Sequence, residues 1–589
     1  MFNIIRRMIL QDAGGREWHR CVMNDPKARR AWKAVIGMTC VACLTAAAEP
    51  AAASDHRLDW WREARFGMFI HWGPVSLTGK EISWSRANSN PFCPNHGETP
   101  VEVYDNLYKK FDPTNFNADE WASIAREAGM KYMVLTAKHG DGFLLWDSKV
   151  DGYNMAATPF HRDICAELAP AARAQGLRMG WYFSPMDWRD PDCRSPQFND
   201  RFVTKIQAEL RELLCNYGQI DELWFDLDGL PTMWHPVETY ALVHSLQPQI
   251  VINNRLEMGS FDQWSHQHVL RPHEDFYTPE QRIGTYDDQN PWETCMTIGT
   301  QWSWKPDDQI KTPAEVMGIL ARCVGGDGNL LFDVGPMPDG RIEPRQVDVL
   351  KAVGAWLSKN GESIYGTRGG PWKSNPGIAS TRKGDVIYLH LLKEGEPRVE
   401  LAGLARKIVS ASLLQGGEAK VEQTPDTVMV TVPANLRDPL DTVVKLQLDG
   451  SAMDLPAVKI GGDTQATASN IYENDESNYG PQQAFDNDSN SRWATDTGTK
   501  RAWIAARLSK PRSVEAVRIQ EAFAGRVQKY EFQYRDGAGW KTIFAGTTLG
   551  ENFEKQFPTV TAQEFRLNIL DATDGPTIKE IQLVNASAP

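Results

Sequence analysis

Ile220-Asp221-Glu222-Leu223-Trp224-Phe225-Asp226-Leu227-Asp228-Gly229 is a short apolar run that ends in acid. Its alternation is that of a strand. Leu223, Phe225 and Leu227 share one parity, and Trp224, Asp226 and Asp228 share the other. The first set suits packing under helices, and the second would face a barrel interior or cleft. Carboxylates at the C-terminal end of a parallel strand stand where α/β barrels place their chemistry. A single acid there serves equally well as a helix N-cap or an ion-pair partner. The neighbouring runs therefore decide the reading.

Seven further runs of strand character surround it: Phe66–Trp72, Tyr132–Ala137, Leu177–Ser184, Ile250–Asn254, Asp275–Tyr277, Met296–Gln301 and Asn329–Val334. Amphipathic stretches with helix-start signals separate several of them. Asn117-Ala118-Asp119-Glu120-Trp121 opens one, Asp163 caps another that runs to Ala174, and Thr312-Pro313-Ala314-Glu315 opens a third with Pro at the first helical position. Eight strands alternating with helices predict an α/β fold, a (β/α)8 barrel over residues 54–358. A doubly wound sheet is the alternative that periodicity does not separate. Polar and aromatic residues end the same strands: His71-Trp72, Lys138-His139-Gly140-Asp141-Gly142-Phe143, Tyr182-Phe183-Ser184 and Asn253-Asn254-Arg255. Each histidine alone reads as a satisfied core residue, but polar ends on successive strands describe one site.

After Trp356 the helical pattern gives way to short alternating strands such as Val386–Leu391 and Thr427–Val432. A small β-sandwich is expected over 359–455 and a second all-β unit over 465–589, with turns at Asn487–Asn490 and Asp574-Gly575-Pro576. A chain of 589 residues is too long for one core. The formal charge of −13 argues against a nucleic-acid binder. The 21 Trp and 15 Tyr suit sugar-binding clefts as well as a large aromatic core.

Residues 1–53 read as a leader. Lys27–Lys33 is basic, Ala34–Leu44 apolar, and Ala46–Ala48 and Ala51–Ala53 offer small-residue cleavage sites, so Met23 is a candidate start. The Arg29-Arg30 pair hints at twin-arginine export, and Cys43 lacks the residues of a lipid-attachment signal. No other stretch is long and apolar enough to span a bilayer. An exported protein, periplasmic or extracellular, is expected. Cys21, Cys40 and Cys43 fall in the leader. Cys93, Cys165, Cys193, Cys215, Cys295 and Cys323 lack metal-ligand spacing and read mainly as buried thiols, with a Cys93–Cys193 disulfide compatible with export.

Five motifs in order, Phe66–Gly73, Gly79–Trp84, Lys138–Phe143, Leu223–Asp226 and Gly328–Pro336, resemble the glycoside hydrolase family of α-L-fucosidases over roughly residues 55–450. The resemblance implies a retaining exo-glycosidase acting on fucosylated oligosaccharides or glycoconjugates, with no cofactor for catalysis. It implies Asp226 as nucleophile, with Asp228 its competitor on the same face. The general acid/base implied is Glu280, in Glu274-Asp275-Phe276-Tyr277-Thr278-Pro279-Glu280-Gln281, with Glu293 the alternative and Glu274 third. The sugar-binding set carried over is His71, Glu81, Trp84, His139, Tyr182, Arg255 and Trp302, the last sheltering the C5-methyl group. One departure stands out: the family has Lys-His-His-Asp-Gly-Phe where this chain has Gly140 in place of the second His. That leaves a related α-L-glycosidase, for example on L-galactose, or a catalytically silent glycan-binding protein as alternatives. The stretch Ala484–Thr495 together with Ile578-Lys579-Glu580-Ile581 resembles discoidin-like (factor 5/8 type C) modules. That likeness implies carbohydrate binding and a structural Ca²⁺ on Asp486, Asp488 and Glu580, which are hard oxygen donors.

Overall fold

The computed structural model describes residues 56–87, 97–194, 199–226, 233–257, 270–284, 286–392, 398–457, 464–475, 479–486, 491–537 and 539–585. Strands β1 (Phe66–Ile70), β2 (Tyr132–Lys138), β3 (Arg178–Phe183), β4 (Glu222–Phe225), β5 (Val251–Ile252), β6 (Glu293–Thr297) and β7 (Asn329–Val334) form one seven-stranded sheet. Its order is β5-β4-β3-β2-β1-β7-β6, and every pairing is parallel. Helices connect the strands, and they start where the sequence signals them. The Asn117 side chain accepts from Glu120 N, and Asp163 accepts from Ala166 N. Thr312 and Glu315 close a reciprocal capping box behind Pro313.

The eight expected strands are seven in the structure. The run at Asp275–Tyr277 forms no strand; it makes two isolated parallel bridges, Asn253 with Phe276 and Tyr277 with Trp292, between the edge strands β5 and β6. Pro279 and Pro291 flank these bridges and lack the N–H a continuous ladder needs. The next strand lies at Glu293–Thr297 rather than Met296–Gln301, so its polar start is inside the sheet and residues 298–303 form a loop. β4 ends at Phe225, shorter than expected, and Asp228 lies outside the described residues.

The parity expected for β4 is observed. Leu223 and Phe225 join the large cluster that packs under the helices. Trp224 instead joins an inner cluster with Phe69, Tyr132, Val134, Tyr182, Val251, Phe276, Cys295 and Leu331, which draws on all seven strands.

At the N-terminal end of the sheet two acids are buried together. Glu293 accepts from Tyr132 Oη and, at 3.2 Å, from Trp224 Nε1. Glu222 adjoins it, and a hydrogen bond between two carboxyl groups needs a proton on one of them. Burial pushes Glu293 up to about 7; burial and then the Glu293 charge push Glu222 well above the usual carboxylate range. Groups with raised native pKa values contribute stability that is complete below the unfolded value, near 4.5, and is lost as pH rises through the native value. Each unit of displacement is worth about 1.4 kcal/mol. The melting temperature should therefore fall between pH 5 and pH 8, and Glu293→Gln should flatten that slope. Parallel melting curves for the two proteins would show that the pair does not titrate in this range.

The remaining described chain is β. Strands Arg368–Gly369, Ile378–Lys383, Val386–Leu391, Ile408–Leu413 and Thr442–Leu448 form a five-stranded sheet. It shares a core (Trp372, Leu389, Val428, Leu446) with a three-stranded sheet of Arg398–Ala402, Lys420–Gln423 and Thr427–Thr431. Buried Asp327 fastens this sandwich to the first domain: it accepts from Arg65 Nη2 at 2.7 Å, Arg368 Nε at 2.9 Å and Gly369 N at 3.0 Å. The last unit is an antiparallel sheet built on two long strands, Ala502–Glu521 and Phe553–Ala572, over its own core. Among the described residues no helix is long and apolar enough to cross a membrane.

Candidate active site

A cavity of about 160 Å³ opens at the C-terminal ends of the parallel strands. His71 follows β1, His139 and Gly140 follow β2, Tyr182 stands on β3, and Asp226 directly follows β4. Arg255 and Glu280 come from the segments after β5 and after the Phe276–Tyr277 bridges, and Trp84 and Trp302 close the rim.

Arg255 is the hinge of the charge arrangement. Its Nη1 donates to Asp226 Oδ1 at 2.7 Å and its Nη2 to Glu280 Oε2 at 2.8 Å. Nε donates to Thr278 Oγ1 at 2.7 Å, and the guanidinium lies 4.6 Å over the Trp224 ring. Its side chain is 3% exposed, whereas Asp226 and Glu280 keep 30% and 36%, so the cation is enclosed and both carboxylates reach the cavity. Tyr182 Oη donates to Asp226 Oδ2 at 2.6 Å. Burial alone would raise the Asp226 pKa, but the Arg255 charge and the Tyr182 hydrogen bond hold it below the usual range. Asp226 is thus an anion fixed by two donors. Glu280 is positioned by backbone: Cys295 N donates to Pro279 O and Gln281 N to Cys295 O, at 3.1 and 3.0 Å. Gln281, at φ 51°, occupies the left-handed region that side chains avoid, at a cost on the order of 1–3 kcal/mol.

The histidines are held neutral. His71 Nδ1 meets Asp333 Oδ1 at 2.6 Å, and His139 Nδ1 meets Ser83 Oγ at 2.5 Å. Burial pushes His71 well below its ordinary value and His139 to about 4. With Nδ1 engaged, Nε2 is the ring atom each has left for a ligand. His139 stacks on Tyr182 at 5.2 Å, and Tyr182 stacks on Trp224 at 5.7 Å, a continuous aromatic wall.

Of the residues singled out in the sequence, Asp226, Glu280, His71, Trp84, His139, Tyr182, Arg255 and Trp302 line this one cavity. Glu81 stands behind it, accepting from Trp302 N at 2.9 Å, Ser303 N at 3.1 Å and Ile82 N at 2.9 Å, so it braces the Trp302 loop. Glu293 lies at the opposite end of the sheet because its strand starts three residues earlier than expected. Glu274 is tied to Arg271 N at 2.8 Å. Trp224 and Ser184, which the sequence already turns toward the cleft, and Phe69, Met186, Trp188 and Cys295, which it did not single out, complete the lining. Trp224 shares the parity of Asp226 and Phe69 that of His71, so period-2 counting was the signal for both. Gly140 has Trp188 ring atoms 3.3 Å from where a Cβ would stand, a tight contact that a larger residue there would have to push aside.

Two acids on one enclosed cation, in a cavity walled by rings and neutral imidazoles, suit the cleavage of a bond between sugars, and the protein is a glycoside hydrolase. The α-L-fucosidase family profile matches residues 44–362, more than half the chain, and the chain belongs to that family. A factor 5/8 type C profile matches residues 465–581. Human plasma α-L-fucosidase is 34% identical over 360 residues, 57% of this chain and 74% of that protein. Human tissue α-L-fucosidase is 31% identical over 373 residues, 58% of this chain and 77% of that protein. Among solved structures, α-L-fucosidase isoenzyme 1 of Paenibacillus thiaminolyticus is 34% identical with a TM-score of 0.60, covering 67% of this chain and 99% of that one. An α-L-fucosidase of Bacteroides thetaiotaomicron, solved as a trapped covalent intermediate with 2-fluoro-fucosyl fluoride, is 27% identical with a TM-score of 0.59 and covers 68% and 97%.

Proposed function

We propose that the protein removes terminal α-L-fucose from glycans with retention of configuration. The observation that carries this reading is the single Arg255 guanidinium bonded to both cavity carboxylates. In a retaining mechanism two carboxyl groups stand about 5–5.5 Å apart, one attacking and the other trading a proton. Asp226, an anion held by Arg255 and Tyr182, attacks the anomeric carbon and forms a covalent glycosyl-enzyme. Glu280 protonates the leaving oxygen, then takes a proton from the water that releases the sugar. His71 and His139 donate to or accept from the ring hydroxyls, Arg255 donates to them, and Trp302 and Trp84 cover the apolar face. The covalent intermediate trapped in the Bacteroides relative supports double displacement. The inner cluster drawn from all seven strands, with Phe276 among them, supports reading the sheet and its bridges as a (β/α)8 barrel.

The reading is tested by incubating the protein with an aryl α-L-fucoside and an aryl α-L-galactoside. Release from the fucoside by at least tenfold over the galactoside is the expected result. Preference for the galactoside would mean that the site takes a C6 hydroxyl where fucose carries only a methyl group. Release from neither would support a silent glycan-binding protein.

Export belongs to the same reading: the leader is a secretory signal, and one relative is a plasma enzyme, which supports a periplasmic or extracellular site of action. In the factor 5/8 type C domain, the buried Glu580 carboxylate, 4% exposed, and the half-buried Asp486 are hard oxygen donors suited to a structural calcium. Asp488 lies outside the described residues. Chelation should lower the melting temperature of the full chain by several degrees, and calcium should restore it where magnesium does not. An unchanged melting temperature would remove the calcium assignment.

A further inference from the structure

Ser83 is fully buried and holds φ 58°, a left-handed conformation that side chains other than glycine avoid. A circuit of directed hydrogen bonds surrounds it. Ser83 N donates to Tyr104 Oη at 2.8 Å, and Tyr104 Oη donates to Asp141 Oδ2 at 2.7 Å. Asp141 N donates back to Ser83 Oγ at 2.8 Å. Burial and then the Asp141 charge push the Tyr104 phenol well above its ordinary value, so it keeps the proton it donates. The same hydroxyl of Ser83 stands 2.5 Å from His139 Nδ1.

The Ser83 proton decides which way that contact runs. The Asp141 amide can only donate, so it fills a lone pair of Oγ and takes no proton from it. Among the described residues, His139 Nδ1 is the one remaining polar partner of the hydroxyl. Were Nδ1 protonated, the hydroxyl proton would be buried without an acceptor, at the full cost of its desolvation. The hydroxyl therefore donates to a bare Nδ1. A neutral imidazole with a bare Nδ1 carries its proton on Nε2.

We infer that Ser83 is a positioning residue that locks His139 in its Nε2–H form, so that this imidazole is a fixed donor reading one sugar hydroxyl by its oxygen. The inference rests on the fucosidase reading above for the sugar. His139 lines the cavity beside Asp226, and the stack on Tyr182, with the rings 3° from parallel, fixes the plane in which the N–H points. An imidazole free to exchange tautomers would offer that donor only part of the time. Ser83 removes the loss without adding a contact to the ligand, which is preorganisation in its simplest form.

The test uses the full chain and its Ser83→Gly variant, which removes the hydroxyl and suits the left-handed backbone. Histidine rings are labelled with ¹⁵N, and the His139 signals are assigned by their loss in His139→Gln. Wild type should show a protonated Nε2 and a bare Nδ1, and Ser83→Gly should show averaged tautomers. L-fucose and its 2-, 3- and 4-deoxy analogues are then compared as inhibitors of aryl α-L-fucoside hydrolysis. Each deoxy sugar should bind wild type more weakly than fucose does. Ser83→Gly should shrink that penalty about tenfold, near 1.4 kcal/mol, at one position and leave the other two as they were. A protonated Nδ1 in wild type, or penalties that the variant leaves unchanged or shrinks alike at all three positions, would overturn the inference. The wild-type spectrum decides the tautomer even where the variant does not fold. If no aryl fucoside is cleaved, the fucosidase reading fails while the spectrum still decides the role of Ser83.

Discussion

Asp226→Gly is expected to lower hydrolysis of an aryl α-L-fucoside by roughly 10⁴-fold or more, the scale at which a nucleophile is lost. Azide should restore turnover and yield a β-L-fucosyl azide. The stereochemistry carries the argument. With the carboxylate gone, a small anion can stand where it stood and attack the anomeric carbon from the same side, and no second inversion follows. Two donors favour that binding: Arg255 Nη1 and Tyr182 Oη, which bond Asp226 at 2.7 and 2.6 Å, lose their acceptor together. The fold should survive, because Arg255 keeps Glu280 at 2.8 Å and Thr278 at 2.7 Å. An α-configured azide, or activity reduced less than tenfold, would remove Asp226 from the nucleophile's role.

The strand that carries Asp226 was legible because its alternation is strict and both faces are buried, so period-2 counting separated the helix-facing residues from Trp224 and Asp226. The caps at Asn117, Asp163 and Thr312 were legible because each is a local contact over three residues. What failed was set by distant partners. Pairing of Glu293 with Asn329 of β7 fixes where β6 begins, and nothing within residues 290–300 announces it. The bracing role of Glu81 depends on Trp302 N, 221 positions away. The wall formed by Met186 and Trp188 follows β3 without a motif, and the chain's turn there is held by the buried Asp187, which accepts from Arg189 N at 3.0 Å. The substitution at Gly140 was visible in the sequence; its neighbour Trp188 was not.

Glu280→Ala should separate substrates by their leaving groups. An aryl fucoside with an acidic phenol needs little proton donation, so its first step should be nearly unchanged, and breakdown of the glycosyl-enzyme should become limiting. An oligosaccharide, whose leaving alcohol needs the proton, should lose about 10²–10⁴-fold in kcat/KM. Azide should now intercept the intermediate from the opposite side and give an α-L-fucosyl azide, since one inversion precedes its attack and one accompanies it. Glu280 is the acid that the geometry supports: its carboxylate reaches the cavity and is bridged to Asp226 by one guanidinium, whereas Glu293 is fully buried against Tyr132 and Trp224. Glu293→Gln serves as the control. It should leave the ratio of aryl to oligosaccharide turnover unaltered while flattening the dependence of stability on pH. If the leaving-group dependence followed Glu293 instead, the acid would have to act through the floor of the site, and the arrangement around Arg255 would be structural.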